Sequence, residues 1–266
     1  MAVEITAERV SAAAARLHEG GWRFSARQLY YAVCADVENA PTRVGSGEVG
    51  LGVLLILVGA ITGQRLVLAV LGLIGLLVLI VGVVTHLQER RPLPLARLLT
   101  MSYPDFAAAF LGDGQRYAGL ITSAAQPGPG GGSRLVVCDR AETASIVEAN
   151  REHLGDVDVT TADPLPHDLQ GRRLITLHDC DPAGCALTAD LRDRGADVVD
   201  AGINPAELLG RRLQLIEGAA ARLPRDLSGH LDDVQTEWLR SGRRLECATQ
   251  TPEQIVQRVQ AALAAG

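Results

Sequence analysis

The stretch Leu174-Ile-Thr-Leu-His-Asp-Cys-Asp-Pro-Ala-Gly-Cys-Ala-Leu187 determines the fold class of this 266-residue chain more than any other part. It begins with a β-strand pattern and ends in an Ala- and Leu-rich helical pattern, with Pro182 and Gly184 at the turn. Asp179 and Asp181 stand one residue apart where the strand pattern ends, so both carboxylates can face one divalent ion. Ligand sites of open α/β sheets lie at this end of the strands. The stretch therefore predicts an Mg²⁺ site, and an ordinary Asp-rich turn is the alternative.

Strand and helix patterns alternate around this stretch. Strand patterns cover 134–138, 157–161, 173–177 and 196–200, and helix patterns cover 142–154 and 186–194. Strands that alternate with helices are typical of a parallel sheet, so we expect an α/β domain over 134–266.

Two apolar stretches, at 49–61 and 66–84, predict a transmembrane hairpin over 46–86. Arg65 is the only charged residue between Gly50 and Thr85. A helix that crosses a bilayer needs about 20 apolar residues, within a range of roughly 17–25, and the second stretch meets this requirement. A buried core hairpin is the alternative, but neither stretch has a polar face at helical spacing.

The arginines around the hairpin predict its orientation. The nearest are Arg23, Arg27 and Arg43 before it and Arg90, Arg91 and Arg97 after it, whereas the connecting loop carries only Arg65. The positive-inside rule places both flanking parts in the cytoplasm. We therefore expect a multi-pass protein of the cell inner membrane whose soluble domains are cytoplasmic, with the lipid bilayer as a partner.

Charge and cysteine content argue against two classes of protein. The formal net charge of −6 and the lack of a strong basic run do not favour a typical nucleic-acid-binding domain. The five cysteines form no CxxC pair, and a reducing cytoplasm keeps them as thiols rather than as a disulfide framework. We expect Cys180 and Cys185 to be small packing residues, because no cluster of His and Cys accompanies them as zinc ligands would require.

The sequence of residues 134–264 resembles a Toprim domain, the metal-binding α/β module of primases, topoisomerases and related nucleases. That family pairs an acidic residue at the end of its first strand with a D-x-D at the end of a later strand, which here is Asp179-Cys180-Asp181. The Pro182-Ala-Gly184 that follows is most similar to the branch containing the topoisomerase VI A subunit and the meiotic double-strand-break proteins. The resemblance implies Mg²⁺ or Mn²⁺ as the cofactor.

A second motif supports the same branch. Ser25-Ala-Arg-Gln-Leu-Tyr-Tyr31 is similar to the S/T-x-R-x-x-Y-Y segment of the winged-helix domain that precedes Toprim in that branch, and the two motifs occur in the family's order. The resemblance implies that Tyr31 attacks a DNA phosphodiester and that the protein is a homodimer, and it leaves open an ATPase partner protein. Arg27 lies one helical turn before Tyr31, where it can stabilise a phenolate or hold the phosphate. A plain helix with one buried ring and one surface ring is the alternative, and we expect Tyr30 to be buried and Tyr31 to be partly exposed.

Two departures from the family pattern bear on activity. Where the family has its first-strand glutamate, this chain has Cys138 followed by Asp139, with Glu142 one turn later. Asp139 and Glu142 are therefore the candidates to complete the metal site with Asp179 and Asp181. The other departure is the hairpin, which interrupts the N-terminal part and which soluble members lack.

The expected organisation has five parts. These are a winged-helix-like segment at 1–45, the hairpin at 46–86, the remainder of the N-terminal domain at 87–125, a Gly/Pro linker at 126–133 and the Toprim-like domain at 134–266. The expected function is Mg-dependent cleavage of DNA phosphodiesters by a membrane-anchored, topoisomerase-like or nuclease-like enzyme. A catalytically reduced, membrane-tethered protein that binds nucleic acid or a partner is the alternative. An unrelated protein with a phosphatase-like DxD is disfavoured because two strand patterns precede the motif.

Overall fold

A small group of helices forms the N-terminal part of the computed structural model. The structure describes residues 5–38, 101–112, 117–122, 132–163, 171–208, 216–217, 220, 222–223, 227 and 229–265. Its first helices are α1 (Ala7–His18), α2 (Ala26–Glu38) and α3 (Tyr103–Phe110). Phe24, Leu29 and Phe106 are fully buried between these helices. The expected helical conformation of the RQLYY segment is thus confirmed.

A sheet of four parallel strands forms the centre of the C-terminal part. The strands are β1 (Arg134–Cys138), β2 (Asp158–Thr161), β3 (Arg173–Leu177) and β4 (Val198–Asp200), in the order β2-β1-β3-β4. All three pairings are parallel. The predicted α/β class with a parallel sheet is confirmed, and β1 and β3 have the predicted bounds. Because β1 and β3 are neighbours, their carboxyl ends lie side by side.

Five helices are described in the C-terminal part. They are α4 (Ala141–Ala149), α5 (Pro182–Asp193), α6 (Pro205–Leu208), α7 (Asp233–Arg240) and α8 (Pro252–Ala264). Helix α5 begins four residues before the predicted start, because Asp181 caps it and Pro182 occupies its first turn. A capping box of Thr251 and Gln254 begins α8.

Two apolar layers cover the sheet, as alternation along the strands requires. On one face Val136 and Ile175 pack in the main core, to which α8 contributes Ile255, Val256 and Val259. On the other face Leu135 and Leu174 pack against Leu191 of α5. Cys180 and Cys185 are buried free thiols, as expected of packing residues.

A two-stranded ribbon brings a distant segment to the end of β3. Strands β5 (Ile216–Glu217) and β6 (Arg243–Arg244) pair in antiparallel fashion. Just beyond β6, Leu245 forms an antiparallel bridge with Cys180, with N···O distances of 2.8 and 3.2 Å. The short 3₁₀ turn Cys247–Thr249 follows and packs against α2. The ribbon therefore connects the D-x-D segment with the helix that carries Tyr31.

The predicted membrane hairpin at 46–86 lies outside the described residues. Within the part of the chain that the structure describes, no helix is long and apolar enough to cross a membrane. Most of the predicted linker, at 126–131, also lies outside that part.

Gly184 and Gly202 allow the closest approaches around the D-x-D segment. A Cβ at Gly184 would overlap the carbonyl oxygen of Asp179, and a Cβ at Gly202 would overlap the imidazole of His178. Both Asp179 and His178 are buried, so neither neighbour has room to move.

We predict that Gly184→Ala and Gly202→Ala each destabilise the protein by roughly 1–3 kcal/mol through overpacking. Alanine in place of glycine within a helix ordinarily stabilises a protein. A loss of stability in Gly184→Ala would therefore indicate the overlap with Asp179. Urea unfolding measures the effect, with Gly112→Ala as the control, because a Cβ there meets only Ala108 O at 3.5 Å. Unchanged stability in both variants would contradict this packing.

Candidate active site

Two of the four predicted metal ligands meet at the carboxyl ends of β1 and β3. Asp139 directly follows β1, and Asp179 lies two residues beyond β3. The backbone N–H of Asp179 donates to Oδ2 of Asp139 at 2.9 Å. The backbone N–H of Asp139 in turn donates to the carbonyl oxygen of Leu177 at 3.2 Å. The adjacent strands thus hold the two carboxyl groups together.

Asp179 is buried, Asp139 is half-buried, and the pair is incompletely neutralised. Oδ1 of Asp139 and Oδ2 of Asp179 are buried, and neither has a hydrogen-bond partner in the described part of the chain. Burial, together with the charge of Asp139, raises the pKa of Asp179 to about 7. Burial also raises the pKa of Asp139. Two carboxylates in such surroundings favour a shared proton or a bound cation over two free charges.

Arg140 supplies the nearest positive charge. Its Nε forms a close ion pair with Oδ2 of Asp179, but the contact lacks hydrogen-bond alignment. Its Nη2 lies 3.5 Å from Oδ2 of Asp181. The Arg140 side chain is 44 % exposed, so it can leave the carboxylates without disturbing the core.

Asp181 and Glu142 have other partners. Oδ1 of Asp181 accepts a 2.7 Å hydrogen bond from the N–H of Gly184 and caps α5. Glu142, in the first turn of α4, receives Arg27, with 3.3 Å between Nε and Oε2. Among the residues described here, no group of three or more His, Cys, Asp or Glu side chains could hold a metal ion. The structure therefore brings Asp139 to Asp179 and leaves Asp181 and Glu142 beside arginines.

Tyr31 lies in a buried hydrogen-bond network. Its ring is only 8 % exposed, and its hydroxyl donates to Oε2 of Glu246 at 2.8 Å. Burial and the charge of Glu246 raise the pKa of Tyr31 well above its ordinary value of 10. The expected partial exposure of Tyr31 is wrong, because the hydroxyl points to a carboxylate of the same chain. The expected burial of Tyr30 is confirmed, and its hydroxyl donates to the carbonyl of Met101 at 2.9 Å.

Arg27, in α2, pairs with two acidic residues, Glu142 and Glu246. It lies 3.2 Å from Glu246 and 3.3 Å from Glu142, and its guanidinium carbon is 4.9 Å from the centroid of the Tyr103 ring. As predicted from the helical spacing, Arg27 and Tyr31 share one face, and here they share one carboxylate, that of Glu246.

The role of Glu246 was not predicted from the sequence. It lies between Leu245, which pairs with Cys180, and Cys247, whose N–H donates to Oδ1 of Asp179 at 2.6 Å. One short segment thus contacts the D-x-D through its backbone and Tyr31 through its side chain. No local motif marks Glu246, and only the long-range pairing with Cys180 reveals it.

A buried histidine supports the D-x-D segment from behind. His178 is fully buried, and its Nδ1–H donates to the carbonyl of Asp179 at 2.8 Å. Nε2 forms a 3.1 Å ion pair with Asp200, which also accepts from the Gly202 N–H and the Asn204 side chain. Burial alone would lower the pKa of His178, but Asp200 outweighs it and raises the pKa to about 9. Burial opposes the ionised form of Asp200, but His178 outweighs it and lowers the pKa to about 2.

A cavity of about 580 Å³ adjoins the acidic pair. Asp139, Arg140 and Asp181 line it, together with small apolar residues of α5. It provides space for a ligand beside the two carboxyl groups. A larger cavity of about 690 Å³ lies at the opposite ends of the strands, away from these residues.

Comparison with known proteins does not assign a family or a function to the chain. No protein-family model, no curated protein and no solved structure matches the chain. The function of the chain is therefore inferred from the residues of the site itself.

We predict that the His178–Asp200 pair makes stability fall as pH rises from about 6.5 to about 9. The pKa of His178 is raised in the folded protein, so its contribution is complete below the unfolded value of 6.5 and is lost through about 9. That interval corresponds to roughly 3 kcal/mol. Urea unfolding between pH 6 and 9 measures this change.

Asp200→Asn is the matched variant, because it removes the charge that holds His178 protonated. It should lower the free energy of unfolding at pH 6 and flatten the change between pH 6.5 and 9. The raised pKa of Asp179 acts at lower pH and remains in both proteins. An equal dependence of the free energy of unfolding on pH in the two proteins would contradict the pairing of His178 with Asp200.

Proposed function

We propose that this chain is a Toprim-like, membrane-anchored protein that uses Mg²⁺ or Mn²⁺ to act on DNA phosphodiesters. The observation that supports this most is the pair of half-buried Asp139 and buried Asp179 at the ends of adjacent parallel strands. An acidic residue after the first strand and a D-x-D after a later one is the arrangement that the family resemblance implies. Asp139 occupies the first of these positions in place of glutamate.

The residues of this pair fit a divalent cation. Mg²⁺ keeps several water ligands and commonly binds through one or two carboxylates plus the phosphates of its substrate, so two acids suffice. Oδ1 of Asp139 and Oδ2 of Asp179, which have no hydrogen-bond partner in the described part, are the atoms that would hold the ion once Arg140 leaves Asp179. When bound, the ion would neutralise charge on the phosphate oxygens.

Arg140 fits a second role at the same place. It contacts Asp179 and Asp181 and borders the cavity beside them. Guanidinium groups bind phosphate through paired hydrogen bonds. Moving from the carboxylates to an entering phosphate, Arg140 would free the acids for a cation and orient the substrate.

Tyr31 and Glu246 have the geometry of a nucleophile and its base. Their 2.8 Å contact is within the range of general-base catalysis, and Glu246 would accept the phenolic proton. Arg27, 3.2 Å from Glu246, would stabilise the phenolate that forms. The raised pKa and the burial of Tyr31 oppose this step, so it requires DNA to reach the hydroxyl while the contact with Glu246 is kept.

These contacts form within one chain. The homodimer implied by the resemblance, in which tyrosine and metal come from different protomers, is therefore not needed to bring Tyr31 near the acidic residues. A homodimer, an ATPase partner and anchoring in the inner membrane remain parts of the proposal.

A second candidate is the catalytically reduced form of the same protein, which binds nucleic acid or a partner without cleaving it. It is favoured by the pairing of Arg27 and Arg140 with the acids and by the burial of Tyr31. In that form the network serves to hold α2 against the Toprim-like part.

We predict that the full-length protein in detergent nicks or relaxes supercoiled plasmid DNA when Mg²⁺ is added. Asp179→Asn should reduce the rate on the order of 100-fold or more, since loss of even an outer-shell partner of a metal costs about 10- to 100-fold. Asp156→Asn is the matched control, because that residue is exposed and distant from the pair.

Tyr31→Phe then identifies the nucleophile. Loss of both cleavage and the covalent protein–DNA adduct would assign it to the tyrosine, whereas cleavage that survives would assign it to a metal-activated water. Wild-type protein that binds plasmid but does not cleave it with either metal would contradict the enzymatic proposal and favour the second candidate.

A further inference from the structure

The larger cavity, of about 690 Å³, lies at the amino-terminal ends of the central strands. This is the opposite edge of the sheet from Asp139 and Asp179. Its described lining includes Arg134, Arg172, Arg173 and Arg194, with Asp197 as the acidic member. Cavities of roughly 300–1,000 Å³ are typical of small-molecule sites. A concentration of arginine is unexpected in a chain whose net charge is −6.

Two of these arginines are direct neighbours, and Asp197, the acidic residue in the described lining, forms no ion pair with either of them. Arg134 and Arg173 are register partners at the starts of β1 and β3. Neighbouring strands are about 4.8 Å apart, and like charges placed side by side destabilise a sheet. Within the described residues neither arginine has an ion-pair partner. Nε of Arg173 is also buried and unpartnered there.

The other two arginines already have carboxylates. Arg172 pairs with Asp158, which also lies 3.5 Å from Arg151. Arg194 pairs with Asp190 at 2.6 Å. Nε of Arg172 is nevertheless buried without a hydrogen-bond partner in the described part. Excess positive charge therefore remains in the cavity, centred on Arg134 and Arg173.

We propose that this cavity binds a small phosphate-bearing anion of the nucleotide class. Phosphate oxygens would lie between the guanidinium groups of Arg134 and Arg173 and relieve their repulsion. Leu191 and Ala196, also in the lining, provide an apolar surface for a sugar or base. The volume accommodates such a molecule, whereas a single inorganic phosphate would occupy only part of it. This site uses none of the residues assigned to DNA cleavage.

Isothermal titration calorimetry on the full-length protein in detergent tests the proposal, with ATP and inorganic tripolyphosphate as probes. EDTA is present throughout, so that no metal can recruit phosphate to Asp139 and Asp179. Both probes should bind once per chain, and ATP more tightly because of its apolar contacts. Arg134→Ala and Arg173→Ala should each weaken binding at least about 10-fold, as expected for a charged hydrogen bond.

Arg240→Ala is the matched control, because it removes the same charge from an exposed position in α7. Arg134 is also exposed, so its variant should fold even if Arg173→Ala does not. Absence of saturable binding, or equal weakening in the Arg240 variant, would overturn the proposal. A single-stranded oligonucleotide that binds through Arg134 and Arg173 while ATP does not would also overturn it, by assigning the cavity to a nucleic-acid backbone.

Discussion

The rest of the site depends on the hydrogen bond from the Asp179 backbone to the Asp139 carboxylate. Parallel pairing of β1 with β3 places the two acids at one edge, and the 2.9 Å bond joins the backbone of Asp179 to the carboxylate of Asp139. Burial then makes two negative charges unfavourable, so the pair requires a proton, a cation or an arginine. Arg140 meets part of that requirement from the surface. The proposed metal binding is the replacement of this exposed arginine by a divalent ion.

Glu246 connects that pair to the helix that carries Tyr31. The backbone next to it binds Asp179, and its side chain binds Tyr31 and Arg27. Four distant segments of sequence therefore converge on one site, at residues 27–31, 139–142, 178–181 and 245–247. Two functions remain consistent with this network, and they differ in whether the Tyr31 hydroxyl becomes accessible to DNA and passes its proton to Glu246. In the described arrangement the network holds the tyrosine protonated, since both burial and Glu246 raise its pKa.

Local patterns in the sequence predicted the parallel sheet and the position of the D-x-D, because strand alternation, proline and capping signals act over a few residues. The family resemblance left Asp139 and Glu142 as alternatives to complete the site, and the structure places Asp139 beside Asp179. The local patterns did not predict Glu246, which reaches the site through the bridge between Leu245 and Cys180. The exposure expected for Tyr31 was wrong for the same reason, since its partner comes from 215 positions further along the chain. The sequence also could not show which partners Asp181 and Glu142 would have. Asp181 caps α5 through the N–H of Gly184, and Glu142 pairs with Arg27.

Equilibrium Mn²⁺ binding to the full-length protein, followed by electron paramagnetic resonance, tests the central claim most directly. The account predicts one ion per chain, with affinity reduced at least about 10-fold in both Asp139→Asn and Asp179→Asn, as loss of a ligand implies. Glu142→Gln serves as the comparison, because its carboxylate pairs with Arg27 rather than with the acidic pair. Binding that persists unchanged in Asp139→Asn, or that Glu142→Gln weakens as strongly, would contradict the assignment of the ion to Asp139 and Asp179.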